Sequence, residues 1–100
     1  MAHLICYDIT NNSLRSKIGK KIIAHGLDRI NKSVYLGTIT DTSLKELKKI
    51  IQDAITLKGM PNDSVVIIAV ANPAIQAMQV YGKNELDKDE LTGVKDTLII

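Results

Sequence analysis

The chain has 100 residues, of which 45% are hydrophobic and 24% are charged, and its formal net charge is +2. This length predicts a single domain, whose core must be built from Ile, Leu and Val because Phe and Trp are absent. The one cysteine excludes a disulfide framework, and no apolar run approaches the roughly 18 residues that a membrane helix needs. No secretion-signal pattern is present at the N-terminus, so we expect a cytoplasmic protein with no membrane partner.

The charges are distributed unevenly along the chain. Residues 1–58 hold ten Lys and Arg against five Asp and Glu, whereas residues 59–100 hold three against six. A surplus of basic residues in one part of a protein favours binding of a polyanion to that part. The acidic residues lie in a separate segment and do not repel the polyanion from the basic part. The alternative interpretation is an ordinary solvated surface.

The first predicted element is a strand over residues 4–9, where the apolar run is too continuous for simple alternation and indicates burial on both faces. Asp8 interrupts this run near its end, and a carboxylate there is costly unless it has a partner or reaches water. Cations follow one turn into the next helix. An acidic side chain at a strand end with cations nearby suits a metal ion beside a phosphate backbone. The alternative is that Asp8 caps or anchors the start of that helix.

The second predicted element is a basic amphipathic helix that starts near residue 12 or 13 and ends at Gly26. Arg15 lies within its apolar arc, at a position from which it can turn towards the end of the first strand. The alternative for Arg15 is a surface side chain that keeps only its charged head in water. Lys17, Lys20 and Lys21 lie on the other side of the helix, and we expect Lys20 and Lys21 to be solvated.

Residues 27–40 have the pattern of extended structure. At about 3.3 Å per residue they are too long for one strand of a small sheet, so we expect a break near Asn31 and Lys32. Gly37 lies inside the second half of this segment, where a glycine indicates a bulge or a close approach of two backbones.

Three further elements are predicted in the second half of the chain. A helix starts at a capping box over residues 43–46 and ends at Gly59. The β-branched run over residues 65–70 predicts a central strand. Residues 79–81 are interpreted as an edge strand.

Strands that alternate with two helices on one face of a small sheet predict an α/β (α+β) fold. A ferredoxin-like βαββαβ sandwich fits the order and the length. We expect this domain to cover residues 1–83. Residues 84–100 are predicted to form a solvated acidic connector and an extra apolar C-terminal strand that docks on the partner subunit, because its side chains would otherwise be exposed.

Asp8 is the leading candidate for chemistry because other motifs are missing. The sequence has no Gly-rich phosphate loop, no paired cysteines and no histidines at metal-binding spacing. Asp41 and Asp63 flank predicted elements and are interpreted as loop or cap residues. Since Mg²⁺ usually takes one or two carboxylates plus waters, a two-fold axis beside Asp8 would supply the second carboxylate.

Four segments resemble the CRISPR-associated protein two family, the partner of the spacer integrase in CRISPR adaptation. They follow the family's order and spacing, and they are residues 5–9, 15–18, 26–37 and 63–67. The chain departs from the family at Tyr35, where phenylalanine is common, and it matches poorly after residue 71. A related family of toxin ribonucleases shares the fold and an Asp-bearing first strand.

The resemblance implies a homodimer in which the two Asp8 carboxylates hold a Mg²⁺ ion across the interface. Family members act as metal-dependent endonucleases on RNA or double-stranded DNA. They also act as a non-catalytic bridge beside the CRISPR integrase subunit, where they bind DNA by its phosphate backbone. The implied site comprises the catalytic and metal-binding Asp8, the nucleic-acid-binding Arg15, Lys17 and Arg29, and the supporting Tyr7 and Tyr35.

Several functions therefore remain open. The first is a Mg²⁺-dependent nuclease that uses Asp8, and the second is a DNA-binding scaffold without catalysis. The sequence favours neither strongly. The scaffold needs basic side chains and a sheet edge for partners, and both are present, while the enzyme needs a general base and none is evident apart from the ion. A toxin ribonuclease is the nearest alternative family, and a small-molecule-sensing ferredoxin-like module would need no basic face.

Overall fold

The computed structural model describes residues 1–82 and 86–93, and its first six elements alternate as βαββαβ. These elements are β1 (Ala2–Asp8), α1 (Asn12–Ala24), β2 (Asp28–Asn31), β3 (Val34–Thr38), α2 (Asp41–Lys58) and β4 (Ser64–Val70). Two short helices follow, α3 (Asn72–Gln76) and α4 (Lys88–Thr92). The strands form one antiparallel sheet in the order β2-β3-β1-β4, so the predicted ferredoxin-like fold is confirmed.

The two long helices cover one face of the sheet and form the main core with it. Ile5 and Tyr7 of β1 pack there against apolar residues of both helices. The helix residues in this core are Leu14, Ile18 and Ile22 of α1 and Leu44, Leu47, Ile51 and Ala54 of α2. Because successive strand residues point to opposite faces, Cys6 and Asp8 point away from this core.

The other face of the sheet, which we call the outer face, is covered only in part. Near the start of β1, α3 and α4 close a second apolar cluster around Ile75 and Leu91. Further along β1, Cys6 is only half-buried, and its cross-strand neighbour Val66 is 46% exposed. Ile68 is 51% exposed beside them. The outer face therefore presents apolar side chains to solvent next to Asp8.

Two strand predictions are wrong for a common reason. In β1, Ile5 and Tyr7 on the helix-covered face are buried, whereas Leu4 and Cys6 on the outer face are only partly buried, and β4 is an edge of the sheet rather than a central strand. In β4 the alternate residues Val65 and Ile67 pack against the core, while Val66 and Ile68 stay exposed. The run is continuously apolar because its outward residues are apolar too, although within this chain the described residues leave them uncovered.

The region after β4 also differs from the prediction. Residues 79–81 form no strand, and part of the predicted solvated connector is the helix α4. Leu91 of α4 is buried, and Thr38 Oγ1 of β3 donates a hydrogen bond to the Leu91 carbonyl at 3.0 Å. Lys88 Nζ adds a bond to the Gln76 carbonyl at 3.0 Å. An apolar residue every few positions is enough to dock an otherwise acidic helix.

For the elements that form, the predicted boundaries lie within about two residues of the observed ones, and β1, for example, spans Ala2–Asp8 rather than residues 4–9. The break near Asn31 is confirmed, since β2 ends there and β3 starts at Val34. α2 begins before the predicted capping box, because Thr40 caps it by accepting a hydrogen bond from the Ser43 amide at 3.2 Å. Gly37 is a point of close approach, as a Cβ there would lie 3.1 Å from the Leu27 Cα.

Three expectations concern parts that the structure does not decide. The predicted C-terminal strand over residues 97–100 lies outside the described residues. The domain boundary at residue 83 and the homodimer stay predictions. Across 1–82 and 86–93, no helix is long and apolar enough to cross a membrane.

Candidate active site and nucleic-acid interface

Asp8 is the last residue of β1 and its side chain is exposed on the outer face. It pairs across the sheet with Ser64 of β4. The interpretation of Asp8 as a helix cap is wrong, because Asn11 caps α1 by accepting a hydrogen bond from the Leu14 amide at 3.0 Å. In the part of the chain that the structure describes, no three His, Cys, Asp or Glu residues are grouped so that they could hold a metal ion. One chain thus offers a single carboxylate here.

Asp63 holds the loop that follows Asp8. Its Oδ1 accepts hydrogen bonds from the Thr10 amide at 3.0 Å and the Thr10 hydroxyl at 3.1 Å, and its Oδ2 accepts from the Met60 amide at 2.9 Å. The bond from Met60, followed by those from Thr10, holds the pKa of the Asp63 carboxyl below its usual range. The predicted loop role is confirmed, and Asp63 joins the loop after β1 to the turn before β4.

On the helix-covered face, two tyrosines from neighbouring strands meet under α1. The Tyr7 and Tyr35 hydroxyls are 3.0 Å apart in a buried hydrogen bond, and their ring centroids are 5.8 Å apart. The backbone of α1 at Gly19 packs closely against this pair, since a Cβ at Gly19 would lie 2.6 Å from the Tyr35 hydroxyl oxygen. Burial first, and then the hydrogen bond and charge of Tyr35, raise the pKa of Tyr7 to about 12, against the opposing effect of Arg29 and Arg15. Tyr7 is therefore neutral at physiological pH.

Above the tyrosine pair, α1 and the β2–β3 hairpin enclose an open cleft of about 380 Å³, which we call the basic cleft. Four cations line it, and they are Arg15, Lys20, Arg29 and Lys32. The lining contains no carboxylate, and among the described residues the single ion pair lies elsewhere, between Lys49 and Asp53 at 3.5 Å. Among the described residues, no carboxylate therefore lies in the cleft itself, and Arg29 alone of the four cations also borders a second hollow, which Asp28, Asp87 and Glu90 line.

Both arginines of the basic cleft are anchored at its rim. Arg15 Nη1 donates to the Ile9 carbonyl at 3.0 Å, and its Nη2 donates to the Asn12 side chain. The expected turn of Arg15 towards the end of the first strand is therefore confirmed. Arg29 Nη2 donates to the Lys32 carbonyl at 3.0 Å. A guanidinium has five N–H donors, so donors remain on each arginine for an external anion.

The structure divides the predicted site residues between the two faces of the sheet. Tyr7, Tyr35, Arg15 and Arg29 come together at the basic cleft. Asp8 does not line that cleft, because it follows Tyr7 on β1 and points to the outer face.

The predicted nucleic-acid residue Lys17 lies outside the basic cleft. It is exposed on the outward side of α1, where it lines a shallow surface with Lys21. Lys20 lines both this surface and the basic cleft, so the two form one continuous basic area along α1.

The sequence prediction missed two cations of the basic cleft. The sequence predicts that Lys20 is merely solvated, and it indicates Lys32 only as part of the break between two strands. One signal was available, because Ser16, Gly19, Lys20 and Ile23 recur at helical spacing and so share a face of α1. Lys32 lies opposite that face because of how the β2–β3 hairpin packs beside α1. No local sequence pattern reveals this packing.

Comparison with known proteins identifies relatives over most of the chain. Residues 1–78 match the family described as CRISPR associated protein Cas2. A relative from Francisella tularensis subsp. novicida, named CRISPR-associated endoribonuclease Cas2 1, is 34% identical over 68 residues, which are 68% of this chain and 66% of that protein. A protein of the same name from Methanospirillum hungatei is 29% identical over 73 residues, covering 73% of this chain and 74% of that one.

Solved structures agree with the fold. Streptococcus pyogenes Cas2 superposes with a TM-score of 0.69 at 18% identity, covering 82% of this chain and all of that one. A hypothetical protein from Thermus thermophilus superposes with a TM-score of 0.67 at 22% identity, covering 85% and 94% of the two chains. Identities this low support the fold alone. Since the family match extends over more than three quarters of the chain, the protein belongs to the CRISPR associated protein Cas2 family.

Proposed function

We propose that the protein is a CRISPR adaptation protein that works as a homodimer beside a CRISPR integrase subunit. In this proposal it binds double-stranded DNA through the phosphate backbone, and its paired Asp8 carboxylates hold Mg²⁺ for the hydrolysis of RNA or DNA phosphodiesters. The observation that carries the proposal is the position of Asp8, a single exposed carboxylate on an apolar surface that is itself uncovered.

The outer face supports the homodimer. Val66 and Ile68 are each about half exposed, next to the half-buried Cys6. Removing apolar surface from water contributes roughly 25 cal/mol per Å², so covering this area favours association. In a two-fold interface the same patch meets its own copy. Asp8 lies at the end of this patch, so a second copy brings a second Asp8 towards the first.

The residues present fit a magnesium site best in such a pair. Mg²⁺ prefers oxygen ligands and keeps several waters, and it is held by one or two carboxylates. One Asp8 per chain meets that requirement when two chains combine. When bound, the ion polarises a phosphoryl oxygen and lowers the pKa of a coordinated water. In this chain Asp8 supplies the ligand, and Asp63 fixes the loop beside it through its bonds to Thr10.

The basic residues support binding to a nucleic-acid backbone. Arg15 and Arg29 are held at the rim of the basic cleft with N–H donors to spare, and Lys17 is exposed on the same helix as Arg15. Such contacts neutralise phosphates without reading bases. The names of the relatives, which specify endoribonucleases, favour RNA as the cleaved substrate, and the family match favours a CRISPR protein over the toxin ribonuclease.

A second candidate, a DNA-binding scaffold without catalysis, is favoured by the positions of the two histidines. His3 Nδ1 is 3.2 Å from the Met1 carbonyl at the start of β1, five residues from Asp8 along the strand. His25 Nδ1 is 2.7 Å from the Lys21 carbonyl at the end of α1. Neither imidazole lies beside Asp8 to serve as a general base, so the ion alone would have to activate the water.

The test is a cleavage and binding assay with labelled RNA and duplex DNA, with and without Mg²⁺. We expect Asp8→Ala to abolish Mg²⁺-dependent cleavage and to leave binding unchanged or slightly stronger, because a negative charge is removed. Asp53→Ala is the matched control, since Asp53 is an exposed carboxylate in a surface ion pair of little energetic value. Full-rate cleavage by Asp8→Ala would exclude the metal site. Binding without any wild-type cleavage would establish the scaffold.

A further inference from the structure

The basic cleft is not explained by chemistry at Asp8. It lies on the helix-covered face, and its cations and tyrosines belong to one chain. Four cations face a cavity that no carboxylate lines. Like charges that converge without a described counter-charge repel one another, so an anion that enters the cleft relieves this repulsion as well as forming its own contacts.

The tyrosine pair adds a directed donor to the cleft. In a hydrogen bond between two hydroxyls, only one of the two protons lies between the oxygens. Within residues 1–82 and 86–93, neither the Tyr7 nor the Tyr35 hydroxyl bonds to any other group. Whichever tyrosine accepts in this pair therefore keeps an O–H that is free to donate to a ligand. The raised pKa of Tyr7, about 12, keeps the Tyr7 hydroxyl protonated at neutral pH.

The size and charge of the cleft indicate the class of ligand. Its volume of about 380 Å³ lies at the lower end of the range of about 300–1,000 Å³ that small-molecule sites occupy. A phosphodiester brings one negative charge, whereas a phosphate monoester carries about −1.5 to −2 at pH 7 and has three strong acceptor oxygens. A cleft with four cations and a hydroxyl donor matches the monoester better.

We propose that the basic cleft binds a phosphate monoester, either the terminal phosphate of a nucleic-acid strand or that of a free nucleotide. The spare guanidinium donors of Arg15 and Arg29 contact the phosphate oxygens, and Lys20 and Lys32 close over them as point charges. The free tyrosine hydroxyl donates from the floor. This site needs neither a dimer nor a metal ion, so it does not depend on the function proposed for Asp8.

The first experiment titrates ¹⁵N-labelled protein with adenosine 5′-monophosphate, and with adenosine as the control at equal ionic strength. We expect saturable shifts of the Gly19 and Ser16 amides, which line the cleft, with the monophosphate and none with adenosine. Equal responses to the two compounds, or shifts scattered over the protein surface, would overturn the proposal.

Paired variants then locate the site. Because a hydrogen bond to a charged group contributes about 1.5–3 kcal/mol, Lys20→Ala/Lys32→Ala should weaken monophosphate binding about tenfold or more. Lys45→Ala/Lys48→Ala removes the same charge from exposed positions of α2 and should change the affinity less than twofold, by screening alone. Equal losses in the two double variants would mean a diffuse charge effect and would contradict a built site.

The two sources of the monoester are separated with oligonucleotides. If the ligand is a strand end, a 5′-phosphorylated duplex should bind severalfold more tightly than its 5′-hydroxyl counterpart, and adenosine monophosphate should remove the difference. If the free nucleotide alone shifts the cleft amides, the site is a nucleotide site. Loss of both signals overturns this proposal while duplex binding and Mg²⁺-dependent cleavage persist. Conversely, failure of the Asp8 function leaves the monophosphate shifts intact.

Discussion

The two faces of the sheet differ in how complete they are within one chain. On the helix-covered face, the tyrosines, arginines and lysines that line the basic cleft all come from the same polypeptide. On the outer face, Asp8 stands alone beside Val66 and Ile68, which α3 and α4 leave exposed. Tyr7 and Asp8 are adjacent in β1 but lie on opposite faces of the sheet, because successive side chains of a strand alternate between its two faces.

The difference indicates where a second subunit matters. In the functions proposed above, the basic cleft binds its ligand within one chain, whereas the Asp8 carboxylate is joined by a second one only when two chains combine. Mutations that act on one face should therefore leave the other face functional.

The largest expected effect concerns the outer face. Ile68→Asp places a charge on the proposed dimer surface, and burying it unpaired costs about 3 kcal/mol or more, a factor above 100 in the dissociation constant. Because Ile68 is 51% exposed in the single chain, the melting temperature of the monomer should change little. Analytical ultracentrifugation measures the dissociation constant. Leu57→Asp, at a 77% exposed position of α2, is the control that should leave it unchanged.

The same variant tests the independence of the two faces. Ile68→Asp should lose Mg²⁺-dependent cleavage with the dimer, yet its Gly19 amide should still respond to adenosine monophosphate. An unchanged dissociation constant would show that the outer face is not the interface. Loss of the monophosphate response in a folded monomer would show that the two faces are coupled.

The next effect concerns the packing of the helix-covered face. Gly19→Ala places a Cβ 2.6 Å from the Tyr35 hydroxyl oxygen, and overpacking of this kind costs about 1–3 kcal/mol of unfolding free energy. Removing that oxygen should restore part of the loss, since the next contacts of the Cβ would be the Tyr7 hydroxyl oxygen at 3.2 Å and a Tyr35 ring carbon at 3.6 Å. Urea unfolding of Gly19→Ala, Tyr35→Phe and the double variant measures the coupling. Additive free energies would mean that the tyrosine pair does not constrain Gly19.

A smaller effect concerns Asp63, which joins the loop after β1 to the turn before β4. Its pKa in the folded protein lies below the unfolded value of about 3.9, so the folded state favours the charged carboxylate. The stabilisation is therefore complete above that value and is lost as the pH falls through the folded pKa. Asp63→Asn should flatten the acid limb of a plot of melting temperature against pH. Identical acid limbs in variant and wild type would contradict the role of this carboxylate.

The smallest effect is spectroscopic. Tyr7 should ionise near pH 12, because burial and Tyr35 raise its pKa above the reference value of about 10 for tyrosine. Tyr35→Phe should lower the pKa of Tyr7, because it removes both the hydrogen bond and the charge that oppose ionisation. A pH titration followed by ultraviolet absorbance measures the ionisation of Tyr7 in the wild type and in Tyr35→Phe. A Tyr7 pKa that stays the same in Tyr35→Phe would mean that burial alone sets it.

The sequence alone determined the parts of this protein that local patterns control. The ends of α1 and the close approach at Gly37 follow from residue types with strong conformational preferences, and the break near Asn31 follows from the length of the extended segment. The order of these elements is sufficient to predict a ferredoxin-like fold. Asp8 could also be placed at a strand end, since a carboxylate that terminates an apolar run is visible in the sequence.

Only the tertiary structure decided which surfaces these elements share. β4 is apolar from Val65 to Val70, yet it lies at the sheet edge. The hydrophobicity of a side chain indicates that it avoids water but not which surface covers it. α4 docks through Leu91 on a strand more than fifty residues earlier. The basic cleft joins Lys20 of a helix, Lys32 of a hairpin and a tyrosine pair separated by 28 positions. Chemistry between residues so distant in sequence exists only after the chain has folded, since no local preference encodes their separation in space.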